Sequence, residues 1–371
     1  MILTHCPVCA APLPDTSAKQ CSRCKTRYCG PACQEQHWKS GHDKLCRKIR
    51  KSGGAEQYNA NTKYAAAVAV AAEKCAEDTK GQTCYICTQA LHWKTKEGLV
   101  RMCACRGTAG FAHVSCLAEQ AKILHEDAVA NNKASQWHRW YTCSLCEQHY
   151  HGVVRCALGW ACWKTYLGRP ETDGARCMAM QQLGNGLYDA GYHEDALSVR
   201  EAELSILRRL GVPVGHILVS QGNLAGTYYR LGRLAEALPM YRDVHSGQLK
   251  LYGAENRQTL VSANNYASTL NGLQRFEEAK SLFLKTLPAA RCVLGDNDDL
   301  TLKMRWNYAK ALYKVDGATL DDLREAVTTL EDTERIARRV LGGAHPLVVQ
   351  IEEALREAQA ALHARASRGE A

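Results

Sequence analysis

The chain has 371 residues, 46% of them hydrophobic, and a formal charge of +9, which suits two or three domains with buried cores. Its nineteen cysteines follow a start, Met1-Ile-Leu-Thr-His-Cys6, with no secretory leader, so they point to metal rather than to disulfides. The longest apolar run, Tyr64 to Ala72, is nine residues against the ~20 a membrane span takes, so a soluble protein with no membrane contact is expected.

The first predicted element is a metal-binding module. Cys6-x2-Cys9, Cys21-x2-Cys24, Cys29-x3-Cys33 and His42-x3-Cys46 form four short chelating pairs. Such pairs close on an ion with little loop entropy to lose, and eight ligands make two tetrahedral zinc sites. His42 and Cys46 are four apart, so on a helix they share a face. Together with Tyr28-Cys29 and Cys33-Gln34-x-x-His37-Trp38, this pattern resembles a MYND finger over residues 6–46. The resemblance implies interleaved sites, Cys6, Cys9, Cys29 and Cys33 on one ion and Cys21, Cys24, His42 and Cys46 on the other. It also implies that Gln34 and Trp38 line a groove for short proline-rich peptides; the alternative is that Trp38 packs over the zinc-held loops. His37 reads as a surface or packing histidine, and His5 as incidental.

Ser52-Gly53-Gly54 marks a flexible break. Ala55 to Asp78, rich in Ala, Glu and Lys without Gly or Pro, is expected to be a helical spacer docked lightly on a finger, with Cys75 a plain buried thiol. A second set of eight ligands follows: Cys84-x2-Cys87, Cys103-x-Cys105, His113-x2-Cys116 and Cys143-x2-Cys146. The spacing again fits two zincs. Cys84-Tyr-Ile-Cys87, Cys103-Ala-Cys105-Arg106-Gly107-Thr108 and His113-x2-Cys116-Leu117 resemble the RING-CH variant of the RING finger over roughly residues 81–150. PHD fingers share the ligand order, but there the gap before the histidine is shorter and a Trp stands two residues before the last pair, where this chain has Tyr141. The resemblance implies that Cys84, Cys87, His113 and Cys116 hold one zinc and Cys103, Cys105, Cys143 and Cys146 the other. It further implies that Ile86 touches a ubiquitin-conjugating enzyme. The chain departs from the family in carrying Gln120 where a Trp is common, in a long loop from Leu117 to Thr142, and in lacking a Pro after Cys143; Trp137 or Trp140 is a candidate replacement for the aromatic surface.

Glu147 to Gly174 has no repeat, and its Cys156 and Cys162 read as core residues of a connecting helix. From about residue 176 the chain is periodic. Asn223, Asn265 and Asn307 recur every 42 residues, as do Gly211, Gly253 and Gly295, and Thr259 and Thr301 keep the same step. A fixed period with apolar residues at helical spacing predicts stacked helix pairs. Glu236-Ala-Leu238 and Glu278-Ala279 make the array similar to tetratricopeptide (TPR) repeats in their longer, kinesin-light-chain-like form. Ala344-His345-Pro346 opens a capping helix, and Cys292 reads as a core residue. The three asparagines are placed near the start of the first helix of each unit, either tying repeats together or gripping the backbone of an extended peptide.

The expected fold is therefore mainly α: two small cross-braced zinc fingers at the N-terminal side, then an α-solenoid of TPR-like helix pairs. The boundaries are 1–50 for the first finger, 51–80 for the linker, 81–150 for the second finger, 151–175 for the connecting helix and 176–371 for the repeats. All four zinc sites have four protein ligands and no open position, so zinc is structural. Fourteen thiolates and four zinc ions lower the formal charge from +9 to about +3, which removes most of the case for nucleic acid. No phosphate loop, nucleophile elbow or catalytic carboxylate pair is present. Two functions fit: a ubiquitin ligase that recruits a conjugating enzyme and holds substrate through TPR and MYND modules, or a non-enzymatic zinc-stabilised scaffold. Either is expected in the cytoplasm, with the nucleus also open to it.

Overall fold

A computed structural model describes residues 6–9, 11, 13, 18–343 and 345–369. His5 and Ala344 lie outside the described residues. The chain divides into two compact units, Met1–Gly211 and Val212–Ala371.

The first unit begins with a small finger. β1 (Lys19–Gln20) pairs antiparallel with β2 (Arg27–Tyr28), and α1 (Pro31–His37) starts on a proline, whose missing N–H costs nothing at that position. The chain kinks at Gly41 before α2 (Asp43–Lys51), which has an acid in its first turn and bases in its last, the arrangement the helix dipole favours. Its core is Cys6, Leu13, Cys21, Cys24, Tyr28, Cys46, Ile49 and Ala55, half of them candidate metal ligands, as suits a domain this small.

α3 (Ala55–Lys74) is more than a spacer. Ala60, Tyr64, Val68 and Ala71 are buried at helical spacing against α5 (Gly152–Tyr166). Gln57 Nε2 donates to Lys164 O at 3.1 Å, and the Tyr64 hydroxyl meets Ser115 Oγ at 3.0 Å. The reading of light docking is corrected: small alanines let two helices approach closely rather than leaving a weak face. The stretch from Leu117 to Thr142 is likewise no long loop, since α4 (Val114–Ala130) fills most of it. Glu97 accepts from Ser115 N at 2.7 Å and so satisfies a donor at the start of α4.

α5 is buried on nearly every side, with Cys156 and Cys162 inside the core. α6 (Gly174–Asp189) crosses it where two glycines face the partner backbone. A Cβ on Gly159 would lie 2.9 Å from Gln182 O, and one on Gly186 2.7 Å from Arg155 O. One continuous core runs from α3 through the second finger to α5, α6 and α7 (His193–Leu210). Trp137 and Trp140 belong to it, packed around His125 and Tyr166; they offer no exposed aromatic surface, contrary to expectation.

In the second unit each helix packs on the next: α8 (Val214–Arg230), α9 (Leu234–Tyr252), α10 (Arg257–Gly272), α11 (Phe276–Leu294), α12 (Asp299–Tyr313), α13 (Leu320–Leu341) and α14 (Pro346–Gly369). Gly253 and Gly295 end α9 and α11 with φ of 79° and 85°, a conformation open to glycine, which is why they recur with the repeat. Asn256 and Asp298 then cap α10 and α12. The protein is thus mainly α, with cysteine-rich clusters at the N-terminal side and a TPR-like solenoid after them. Cys292 is exposed on α11, which corrects its assignment to the core. Among the described residues no helix is long and apolar enough to cross a membrane.

Candidate metal centres

The sixteen cysteine and histidine ligands gather in four groups: Cys6, Cys9, Cys29, Cys33; Cys21, Cys24, His42, Cys46; Cys84, Cys87, His113, Cys116; and Cys103, Cys105, Cys143, Cys146. Within each group the ligand atoms all lie within 4.8 Å of one another. Sulfurs ~2.3 Å from a tetrahedral zinc stand ~3.8 Å apart. Cys21 and Cys46 Sγ are 3.8 Å apart, as are Cys105 and Cys143, and Cys29 and Cys33 are 3.5 Å apart. Zinc therefore fits the donor sets in both type and spacing. The two histidines present different nitrogens: His42 Nε2 lies 3.3 Å from Cys24 Sγ, whereas His113 Nδ1 lies 3.3 Å from Cys87 Sγ. Ala90 O, 3.4 Å from His113 Nε2, accepts the proton there and frees Nδ1 for a metal.

The Cys-x2-Cys pair of each group opens with the same backbone hydrogen bond. Cys6 N donates to Ala11 O, Cys21 N to Thr26 O, Cys84 N to Gln89 O and Cys143 N to Gln148 O, at 2.8, 2.8, 3.0 and 2.9 Å. Lys25, Thr88 and Glu147 close the last three of these turns with φ of 63°, 61° and 56°. Ile86 N and Leu145 N point back at Cys84 and Cys143 Sγ, both at 3.4 Å. His92 occupies the first position of a fifth such turn, which sequence spacing gave no reason to expect. His92 N donates to Glu97 O at 3.0 Å, and its Nδ1 meets Thr95 Oγ1 at 2.8 Å. A hydrogen bond stands here where the other turns have ligands, and the turn presents Trp93 to solvent.

The thiols are electrostatically poised for a cation. The Cys103 hydrogen bond first, then the backbone N–H groups of Cys146 and Leu145, hold Cys143 down to about 4 against the effect of burial. Burial and the neighbouring thiols Cys21 and Cys24 push Cys46 up to about 12. One thiolate forms easily in such a group and the next does not, until a divalent ion removes the repulsion. The groups differ in access: the Cys21 group is wholly buried, while Cys9 and Cys29 of the first group are exposed.

Residues 6–46 match the MYND finger family and residues 216–291 a tetratricopeptide repeat family. Residues 6–46 are a MYND finger. One curated protein, ubiquitin carboxyl-terminal hydrolase 19 of Arabidopsis thaliana, is 47% identical over 47 residues, 12% of this chain and 6% of that protein. The chain thus spans only a small fraction of that relative. Among solved structures, a putative kinesin light chain from Podosopora anserina with TPR-like repeats is 22% identical, covering 55% of this chain and 92% of its own, with a TM-score of 0.43. BtubC from P. vanneervenii is 16% identical over 69% of this chain and 90% of its own, with a TM-score of 0.42.

In the MYND finger, Trp38 follows α1 in helical conformation, four residues after Gln34, so both lie on one face. Trp38 is 42% exposed, with its ring 6.0 Å from that of His42, and does not lie buried over the loops. His37 packs edge-on against Tyr28 and meets its hydroxyl at 3.1 Å, the packing role expected. In the second cysteine-rich segment Ile86 is 37% and Leu145 51% exposed. Tyr85 OH and Ser144 Oγ, 3.0 Å apart, tie together the two turns that carry these apolar tips. Leu145 was not singled out by sequence; its place, two after Cys143 as Ile86 is two after Cys84, was the available signal. Gln120 sits beside them, its Oε1 3.4 Å from Ser144 Oγ.

The three repeat asparagines fall in the middle of α8, α10 and α12 rather than near their starts, and they part company. Asn307 is buried, donating to Asn264 Oδ1 at 3.2 Å and accepting on its backbone oxygen from Asn271 Nδ2 at 2.9 Å. It ties neighbouring repeats. Asn223 and Asn265 are half-buried in a groove of about 100 Å³ between α8, α9 and α10, with Gln248, Gln258 and Ser262.

Proposed function

We infer that the chain is a zinc-binding protein built of interaction modules, a MYND finger and TPR repeats. We propose that it is a ubiquitin ligase of the RING-CH type holding four structural zincs, two per finger. The observation that carries this reading is the pair of tips Ile86 and Leu145, exposed on turns locked to each other through Tyr85 and Ser144. Apolar residues on rigid turns bind a partner without ordering cost. A conjugating enzyme docked there carries its own thioester, and the ligase contributes orientation and proximity rather than a nucleophile. Zinc supplies cross-bracing only, since each group has four protein ligands. Substrate is held by peptide segments in the amide-lined groove at Asn223 and Asn265 and on the Gln34–Trp38 face. The working segments are residues 1–50, 51–80, 81–150, 151–175 and 176–371, and the protein acts in the cytoplasm or nucleus.

Gln120 favours a second reading, a pure scaffold, because a polar side chain occupies the place beside the two tips where an aromatic contact is common in the family. In vitro ubiquitination with a panel of conjugating enzymes separates the two. The ligase reading expects transfer by the wild type, none by Ile86→Ala or Leu145→Ala at unchanged zinc content, and loss of both transfer and zinc in Cys84→Ser. No transfer with any enzyme, or full activity of Ile86→Ala, leaves the scaffold.

A further inference from the structure

The MYND finger carries a second concavity, built from other residues than Gln34 and Trp38. Asp43, Cys46, Arg47 and Arg50 recur on α2 at three- and four-residue steps and so share one face. Arg23, the third residue of the Cys21–Cys24 turn, faces them across a cavity of about 310 Å³. Cys46 is buried at its floor, with its Sγ 3.8 Å from that of Cys21, so both walls are anchored in one ligand group. The cavity is thus held open by the same side chains that gather for the metal.

Among the described residues its charges do not balance. Arginines such as Arg101, Arg139, Arg155 and Arg257 lie against carboxylates at 2.5–3.0 Å. Among the described residues Arg23, Arg47 and Arg50 have no such partner. Asp43 is the one acid lining the cavity among the described residues, which leaves three guanidinium groups against one carboxylate. Guanidinium forks match the paired oxygens of phosphate, and a phosphomonoester at neutral pH carries about −1.5 to −2.

We propose that this cavity binds a phosphorylated side chain, phosphoserine or phosphothreonine, of a partner protein. The cavity's size suits one such group. A nucleic acid would need a stripe of positive charge with stacking surfaces along it. Here no aromatic residue lines the cavity among the described residues, and thiolate–zinc formation brings residues 1–50 down from nine Lys/Arg against three Asp/Glu to about +3. Lys44, Lys48 and Lys51 fall on a neighbouring face of α2.

The test uses the zinc-loaded full chain and fluorescently labelled random-sequence peptide pools with a central phosphoserine, serine or glutamate, read by anisotropy. The phosphoserine pool is expected to bind at least about tenfold more tightly than the serine pool, the scale of paired charge-assisted hydrogen bonds. Arg47→Ala and Arg50→Ala should each remove most of that difference, and Arg50→Lys should keep part of it. Zinc content is measured alongside. If Arg47→Ala loses metal, Arg50→Ala decides, because residue 50 is a full turn beyond Cys46. Equal binding of the three pools, or Arg50→Ala with normal zinc and undiminished phosphoserine preference, overturns the proposal. A random RNA oligonucleotide that displaces the phosphoserine pool at lower phosphate concentration than free phosphopeptide overturns it in favour of nucleic acid.

Discussion

Replacing Gly186 by alanine tests how α5 and α6 are held together. The added Cβ would lie 2.7 Å from Arg155 O, 3.0 Å from Cys156 Cα and 3.1 Å from Arg155 C. All three are backbone atoms, so no rotamer change relieves the contact and the helices must separate. Overpacking of this kind costs about 1–3 kcal/mol, and a backbone-to-backbone clash belongs at the upper end. Alanine regains about 1 kcal/mol of helix propensity over glycine. The net loss is about 2 kcal/mol. Gly184, on the same helix, is the control, because its Cβ would meet the flexible Arg200 side chain at 3.3 Å. Gly184→Ala should therefore be neutral or stabilising by up to about 1 kcal/mol. Urea denaturation in excess zinc, followed by tryptophan fluorescence, reads the right place, since Trp160 and Trp163 lie on α5. Gly159→Ala pushes the same two helices apart, so the double variant should lose less than the sum of the singles. A Gly186→Ala protein as stable as Gly184→Ala would refute the close-approach argument.

Elemental analysis of protein purified without chelator should find four zincs per chain, and two or fewer would mean that one cysteine-rich segment is misread. Chelator challenge should empty the Cys6 group first and the Cys21 group last, following their exposure; modification of Cys9 and Cys29 by a thiol reagent tracks the first release. Asn307→Ala should destabilise the second unit by about 1–3 kcal/mol by leaving Asn264 unsatisfied in the core. Asn223→Ala with Asn265→Ala should melt normally and lose peptide capture, and normal capture would remove the groove from the proposed function. The Asp322 carboxyl is held down to about 2, first by Lys280 and then by Thr319. Its folded value is below the ordinary one, so its stabilisation is complete above about pH 4 and vanishes as pH falls through about 2. Amide exchange in α13 should show this acid sensitivity in the wild type and not in Asp322→Asn.

Ligand spacing exposed the metal chemistry because chelation is local: residues two to four apart must share an ion whatever the rest of the fold does. The repeats were legible for a similar reason, each unit making the same contacts at the same step. What sequence missed is long-range. Ala60 and Ala71 looked like a weak helix face because their value lies in the closeness they allow to α5, about a hundred positions on. Trp137 and Trp140 looked available as surface until the core around Tyr166 enclosed them. Period alone could not separate Asn307 from Asn223 and Asn265, which share a repeat position but differ in neighbours. The turn at His92 has no second ligand to announce it, and its geometry is visible only in the backbone.

The docking of α3 on α5 also sets an order of events during synthesis. Gln57 and Lys164, joined by a hydrogen bond, are 107 positions apart. At 5–20 residues per second, α3 spends roughly 5–20 s outside the ribosome before its partner emerges. Its alanine-rich side has nothing to rest on in that interval, and closing so large a loop carries a chain-entropy penalty. Gathering of the eight ligands between Cys84 and Cys146 shortens that loop from within. Supply of metal to the nascent chain therefore governs how long α3 stays exposed, and a zinc-starved cell should deliver this protein to its chaperones and proteases with α3 still undocked.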